Sequence, residues 1–278
     1  MLGTLFNTAI IQPILNILVA FYKLFLVVHL PGAFGFAIIA LTVCVRLLMH
    51  PFFKQQIHTS KKMQDLKPHL DRLSDKHKKD PKKLQQEQMR LYKEAGINPA
   101  SGCLFAIVQI PLFLGLYQTL QRFLLNGTTT KVITGINKEL YAAFLKISSI
   151  DPWFFGFNLA LSPAKAHVWY YLSVPIITAV LQFFQAQTTL LPTSKPDEKK
   201  KLSLEKDSKN KDKKESSTGE DFQKAMNTQM KYFFPLMIGY FSYTLPIGLS
   251  LYWNIFSIFS IIQHATMKKP DGQSAVKK

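Results

Sequence analysis

The chain has 278 residues, 47% of them hydrophobic, and a net charge of +17. Its apolar residues gather in long blocks and its charges in separate ones. That pattern excludes a single soluble domain, in which apolar positions recur at helix or strand period, and points to a polytopic membrane protein. The basic excess then reads first as topology and contact with anionic lipid, and second as ribosome contact, not as sequence-specific nucleic-acid recognition.

The opening MLGTLFNTAII lacks a basic n-region, so no cleaved secretory signal is expected. Residues 1–30 are apolar but carry Gln12, Asn16 and Lys23 on one helical face. Such a helix either spans the bilayer or lies in the headgroup plane. Pro31-Gly32 breaks it. The next run, FGFAIIALTVCVRLLMHPFF, predicts a span over 33–53, near the roughly 20 apolar residues a bilayer core needs.

Residues 54–98 predict a soluble helical hairpin. Between Lys54 and Glu94 there are 12 Lys and Arg against 6 Asp and Glu. Met63, Leu66, Leu70 and Leu73 recur at helical spacing in one arm, and Leu84, Gln88, Leu91 and Ala95 in the other. Asp80 should cap the second arm with Pro81 in its first turn, and Pro68 should kink the first.

A second span is expected over 102–125 and a mixed extramembrane segment over 126–167, with interfacial aromatics at Trp153, Phe154 and Phe155. A third span follows at 168–191. Residues 192–228 are a low-complexity charged stretch expected to be disordered. Spans four and five fall at 230–245 and 249–267, and 268–278 form a short basic tail. Cys44 and Cys103 lie in apolar runs and read as packing residues. No metal site, cofactor motif or nucleophile–base spacing emerges, so an enzyme is the least favoured class.

Orientation follows from the basic residues. The hairpin has 12, the stretch from 192 through Lys231 has 11 and the tail has 4, whereas Phe123 to His167 carries four. Hairpin, charged loop and tail therefore face the cytoplasm, the expected fold class being all-α with five transmembrane helices. Residues 1–30 then lie on the outer face, with the N-terminus outside; if they spanned, there would be six.

Arg46 lies inside the first span. Its guanidinium cannot discharge, and holding it in mid-bilayer costs on the order of 3 kcal/mol. It either snorkels toward cytoplasmic headgroups or faces a wet recess. Gln109 and Gln185 fall at a similar depth on other spans, about 9–11 Å from the inner boundary at helical rise. Thr42 and Gln182 share faces with Arg46 and Gln185, and the fifth span adds Asn254, Ser257 and Ser260 beside Trp253. Intramembrane Gln, Ser and Thr commonly join helices. Several such groups converging on one arginine point to a hydrated pocket.

The run GINPASGCLFAIVQIPLFLGLYQTL resembles the second conserved span of the YidC family of membrane protein insertases. The first span, with a single arginine followed by LLMHPF and a basic hairpin, is similar, as is the ending YFFPLMIGYFSYTLPIGLSLYWNIFSIFSIIQ. Two departures stand out: Phe105 occupies a position where the family usually has proline, and the second cytoplasmic loop carries an extra charged run. The resemblance implies an insertase of the plasma membrane with residues 1–30 as an outer interfacial helix. It implies a groove whose arginine is Arg46, whose glutamines are Gln109 and Gln185, and whose last-span aromatic is Trp253. The substrate-binding set expected is Arg46, Thr42, Gln109, Gln182, Gln185, Trp253, Asn254 and Ser257. Its partners would be nascent membrane proteins, the lipid bilayer, the ribosome and a Sec translocon. The rivals are a secondary transporter or channel, against which the absence of intramembrane carboxylates stands, and a lipid-bound scaffold.

Overall fold

A computed structural model describes residues 2–77, 80–96, 101–124, 130–189 and 229–268. The charged loop at 192–228, the tail after 268 and the side chains of Cys103 and Gln109 lie outside the described residues. What is described is mostly helical, as an all-α membrane protein requires.

Helix α1 (Leu2–Phe6) runs through a π-helical turn (Asn7–Ile11) into α2 (Gln12–Val27). Together they are long and apolar enough to cross a membrane. Gly32, in left-handed conformation (φ 76°), starts α3 (Ala33–Leu48). The helix does not run on to Phe53. It ends at Met49, where the chain bends by 64° into α4 (His50–Lys76). Arg46 thus sits two residues from a helix end, and Phe53 belongs to the first turn of the hairpin arm. Pro68 is carried inside α4. The Asp80 side chain accepts from the Lys83 amide (3.1 Å) and caps α5 (Pro81–Glu94), with Pro81 at its start.

Then follow α6 (Ser101–Leu124) and the short amphipathic α7 (Thr130–Lys138), which buries Ile133 and Ile136. A two-stranded hairpin, β1 (Trp153–Phe154) and β2 (Phe157–Asn158), precedes α8 (Ser173–Thr189). The last two helices are α9 (Phe234–Thr244), entered by a π-helical turn, and α10 (Ile247–Lys268).

The dry core occupies one end of the bundle. Phe34, Ile38 and Leu41 of α3, Leu15 and Leu18 of α2, Leu120 of α6, Leu159 and Leu249 are essentially inaccessible. These positions cluster at the starts of α3 and α10 and the end of α6. There the backbone of Leu159 and Leu161 accepts from Gly248 and Ile247, tying the 130–172 segment to the head of α10. A buried hydroxyl cluster fastens three helices: Ser242 of α9 meets Ser250 of α10 at 2.7 Å and donates to Thr178 of α8 at 3.2 Å.

The polar stripe of α2 is consumed by the 139–151 segment. The Asn16 side chain donates to the Glu139 carbonyl (3.1 Å) and accepts from the Tyr141 amide (2.7 Å). Lys23 donates to the carbonyls of Phe144 and Lys146 (2.6 and 2.8 Å), and Tyr22 accepts from the Asp151 amide. Arg122 forks onto the Glu139 carboxylate (2.7 and 2.8 Å) and reaches Asn7 (3.2 Å). These bonds satisfy backbone groups of a segment that has little secondary structure of its own.

Phe154 seats on the first turn of α3 because Gly32 and Gly35 leave it room: a Cβ on Gly35 would lie 2.7 Å from Phe154 Cε2, closer than side chains tolerate. Gly35→Ala is expected to cost about 1–3 kcal/mol through overpacking. Thermal unfolding in detergent checks this, and Phe154→Ala in the same chain should recover much of the loss.

Candidate functional site

Three elements converge on Arg46. The end of α3 carries it, the first turn of α4 returns Phe53 beneath it after the bend, and the middle of α10 supplies Phe256. The guanidinium carbon lies 3.5 Å from the Phe256 ring centroid and 4.3 Å from that of Phe53, with Phe259 at 5.9 Å. One terminal nitrogen donates to the Phe256 carbonyl at 2.8 Å. The side chain is 2% exposed, and its Nε has no hydrogen-bond partner among the described residues. No carboxylate lies within salt-bridge reach of it among those residues either. Arg46 therefore does not snorkel. It is held inside the protein by aromatic faces and one carbonyl, an environment that orients the charge without neutralising it.

Beside it opens a cavity of 240 Å³ lined by Arg46, Phe53, Gln56, Ser60, Gln182, Gln185, Phe256, Ser260, Gln263 and His264, among others. Helices α3, α8 and α10 contribute their later halves, and α4 and α9 their beginnings. The cavity therefore lies at the end of the bundle opposite the dry core. Gln182 donates to Ser257 (3.0 Å), bridging α8 and α10. Gln263 meets the His50 Nδ1 at 2.8 Å, joining α10 to the root of the hairpin.

The expected set divides on inspection. Arg46, Gln182 and Gln185 line the cavity. Thr42 is buried one turn away, its hydroxyl donating to the Ile38 carbonyl of its own helix (2.7 Å). Ser257 donates to the Trp253 carbonyl (2.8 Å) and positions Gln182 without lining the cavity. Trp253 is buried and stacks on Phe113 of α6 (6.0 Å between centroids, 12° between planes). Asn254 is not among the lining residues, and its buried Oδ1 has no partner among the described residues. The reason for the division is depth along α10 and cover by neighbouring helices. Trp253 lies on the same side of α10 as Ser260 but two turns nearer the dry end, where it packs on α6, and Ser257 is covered by Gln182. Gln56 and Ser60 escaped the sequence reading because a straight span to Phe53 puts them beyond the bilayer, and His264 because it lies one turn past Ser260 near the end of α10. The bend at Met49 brings α4 back against the cavity, and the apolar-to-basic switch after Phe53 carried no sign of it.

A helical bundle whose buried arginine borders a cavity of mixed lining, phenylalanine beside glutamine and serine, and whose α1–α2 helix is long and apolar enough to cross a membrane fits the class of helical membrane proteins. Comparison with known proteins narrows the class. The family model for the 60Kd inner membrane protein matches residues 25–274, and the chain belongs to that family. It is 31% identical over 253 residues to the chloroplast inner membrane protein ALBINO3 of Arabidopsis thaliana, covering 88% of this chain and 48% of that protein. The chloroplast inner membrane protein PPF-1 of Pisum sativum is also 31% identical, with 88% and 51% covered. The membrane protein insertase YidC of Chlamydia trachomatis is 29% identical over 266 residues, covering 95% of this chain and 29% of that protein. The chain thus spans about half the length, or less, of these relatives.

A buried cation with unmet donors destabilises the fold that holds it. Arg46→Met is expected to raise the unfolding temperature in detergent, by an amount equivalent to about 1–2 kcal/mol. A comparable fall would mean that the aromatic stack outweighs the burial cost.

Proposed function

We propose that the chain is a membrane protein insertase. It receives polar or acidic segments of nascent membrane proteins in the cavity beside Arg46 and releases their apolar segments sideways into lipid. The observation that carries this reading is a guanidinium buried with no carboxylate partner among the described residues, at the edge of a cavity confined to one end of the bundle. Family membership among inner membrane proteins, with an insertase among the relatives, supports it.

The topology we propose has five spans, α3, α6, α8, α9 and α10, with the hairpin α4–α5 and the C-terminus in the cytoplasm. Helix α1–α2 lies against the outer ends of these spans. Asn7 near its start is tied to Arg122 at the end of α6, while Tyr22 near its end packs edge-on against Phe34 at the start of α3. Both ties fall at the outer ends of spans, which supports a helix lying across the bundle. The Gln and Ser groups of the cavity, together with the hairpin root, form a groove open toward the cytoplasm.

Moving a charged group through hydrocarbon costs several kcal/mol. A wet cavity reaching partway across shortens that path. An arriving carboxylate meets a cation that no acid among the described residues has neutralised, and the Gln and Ser side chains offer hydrogen bonds. At roughly 4 Å the attraction is about 1 kcal/mol in full solvent and about 4 kcal/mol near a protein surface, strong enough to capture and weak enough to release. The dry packing of Phe34, Ile38, Leu120 and Leu249 closes the opposite end. That closure favours one-sided reception over a continuous solute pathway. Nascent chains and lipid are the partners this mechanism needs, and the basic hairpin is placed to meet a ribosome or translocon at the cytoplasmic mouth. No reaction is catalysed.

Arg46→Ala should lower insertion of a single-span client with an acidic outer tail about fivefold or more, and Arg46→Lys should retain part of the activity. A client whose tail acids are replaced by serine should respond far less. Reconstituted vesicles with protease protection of the tail give the readout; equal losses for both clients would rule out a counter-charge role.

Photocrosslinkers placed at Gln56 or Ser260 should capture a translating client, whereas one at Trp253 should not, because that ring packs against α6. Capture from Trp253 alone would relocate the client path.

A further inference from the structure

We propose that the β1–β2 hairpin and the turn before α8 form an aromatic collar that inserts into the outer-leaflet headgroup–acyl boundary, with Trp153, Phe155 and Trp169 as the inserting side chains. This rests on the topology above, which places residues 130–172 outside. Phe155 and Gly156 are the two residues between the paired strands, and both have positive φ (46° and 86°). A two-residue turn of this kind favours Asn, Asp or Gly at its first position, and a bulky phenylalanine there is strained. The strain serves to aim the ring outward: Phe155 is 73% exposed, while its neighbour Phe154 faces inward onto Gly32 and Gly35.

The same device recurs at the second site. His167 has φ 51°, and it precedes Val168 and Trp169, the latter 83% exposed. The two sites are joined: Tyr170 donates to the Gly156 carbonyl (3.1 Å), and its ring contacts both Phe157 and Trp169. The Asn158 amide donates to the Tyr171 hydroxyl (2.8 Å). The occupant of this surface follows from depth. Phe155 packs on Phe36, in the first turn of α3, and Trp169 stands just before α8, so both lie level with the outer ends of two proposed spans. Tryptophan and other aromatic rings favour that depth, with their apolar bodies toward the acyl chains.

The test uses the full chain in phosphatidylcholine–phosphatidylglycerol vesicles whose acyl chains carry bromine, either near the carbonyl or deep. Trp253 is buried, so Trp153 and Trp169 should dominate the lipid-quenchable emission. We expect shallow bromines to quench more than deep ones, and W153F/W169F to lose most of that quenching. Phe155→Asn, which suits the left-handed turn, should leave the unfolding temperature in detergent unchanged or raised, yet reduce quenching of Trp153. Quenching by aqueous iodide without quenching by bromolipid would overturn the collar and leave the insertase reading standing. Strongest quenching by deep bromines would overturn both the collar and the outside placement of the segment. Unchanged Trp153 quenching in Phe155→Asn would remove Phe155 from the collar.

Discussion

The rest of the structure depends on how a permanently charged side chain is kept inside an apolar bundle. Arg46 receives one carbonyl and the faces of two phenylalanines, and nothing anionic among the described residues. Cation–π contacts of this kind are worth up to about 2 kcal/mol when desolvated, less than a buried carboxylate partner would supply. The guanidinium is thus fixed in place without being satisfied. A fold under selection for stability alone would put a methionine or leucine there. The geometry makes sense for a cation whose partner arrives and leaves.

That arrangement requires the bundle to be unequal at its two ends. Around Arg46 the helices part and leave a cavity lined by glutamine, serine and phenylalanine. At the other end α2, α3, α6, the 130–172 segment and the head of α10 close into dry packing, with Leu15, Leu18, Ile38 and Leu120 inaccessible. The rigidity of that end offsets the looseness of the cavity. It is reinforced by the Ser242–Ser250–Thr178 cluster, which replaces apolar packing with short hydroxyl contacts where α8, α9 and α10 approach closely.

The irregular 139–151 segment shows how a stretch with few internal backbone hydrogen bonds is kept ordered. Its amides and carbonyls are met by Asn16, Tyr22, Lys23 and Asn137, and the carboxylate of Glu139 at its start is forked by Arg122. The polar face of α2 is therefore a set of fasteners for this segment. Lys23 in particular, which from sequence is one of three polar residues on that face, spends two donors on carbonyls.

The sequence by itself determined the class of the protein, the separation of apolar from basic blocks, the capped hairpin arm at Asp80 and the singular place of Arg46. Each of these is a local property: composition, helical period, cap chemistry and the cost of one charge in an apolar run. The family, too, was readable from short motifs in order. What only the tertiary structure decided was the company Arg46 keeps. The break at Met49 turned a presumed straight span into two helices at 64°, bringing Phe53, Gln56 and Ser60 to the arginine. Phe113 of α6 and Gln182 of α8 cover Trp253 and Ser257, while Phe256, Ser260 and Gln263 remain open to the cavity. Depth along a helix follows from counting residues, because its rise is constant. Which face meets which neighbour depends on how several helices pack together, and no single stretch of chain encodes that.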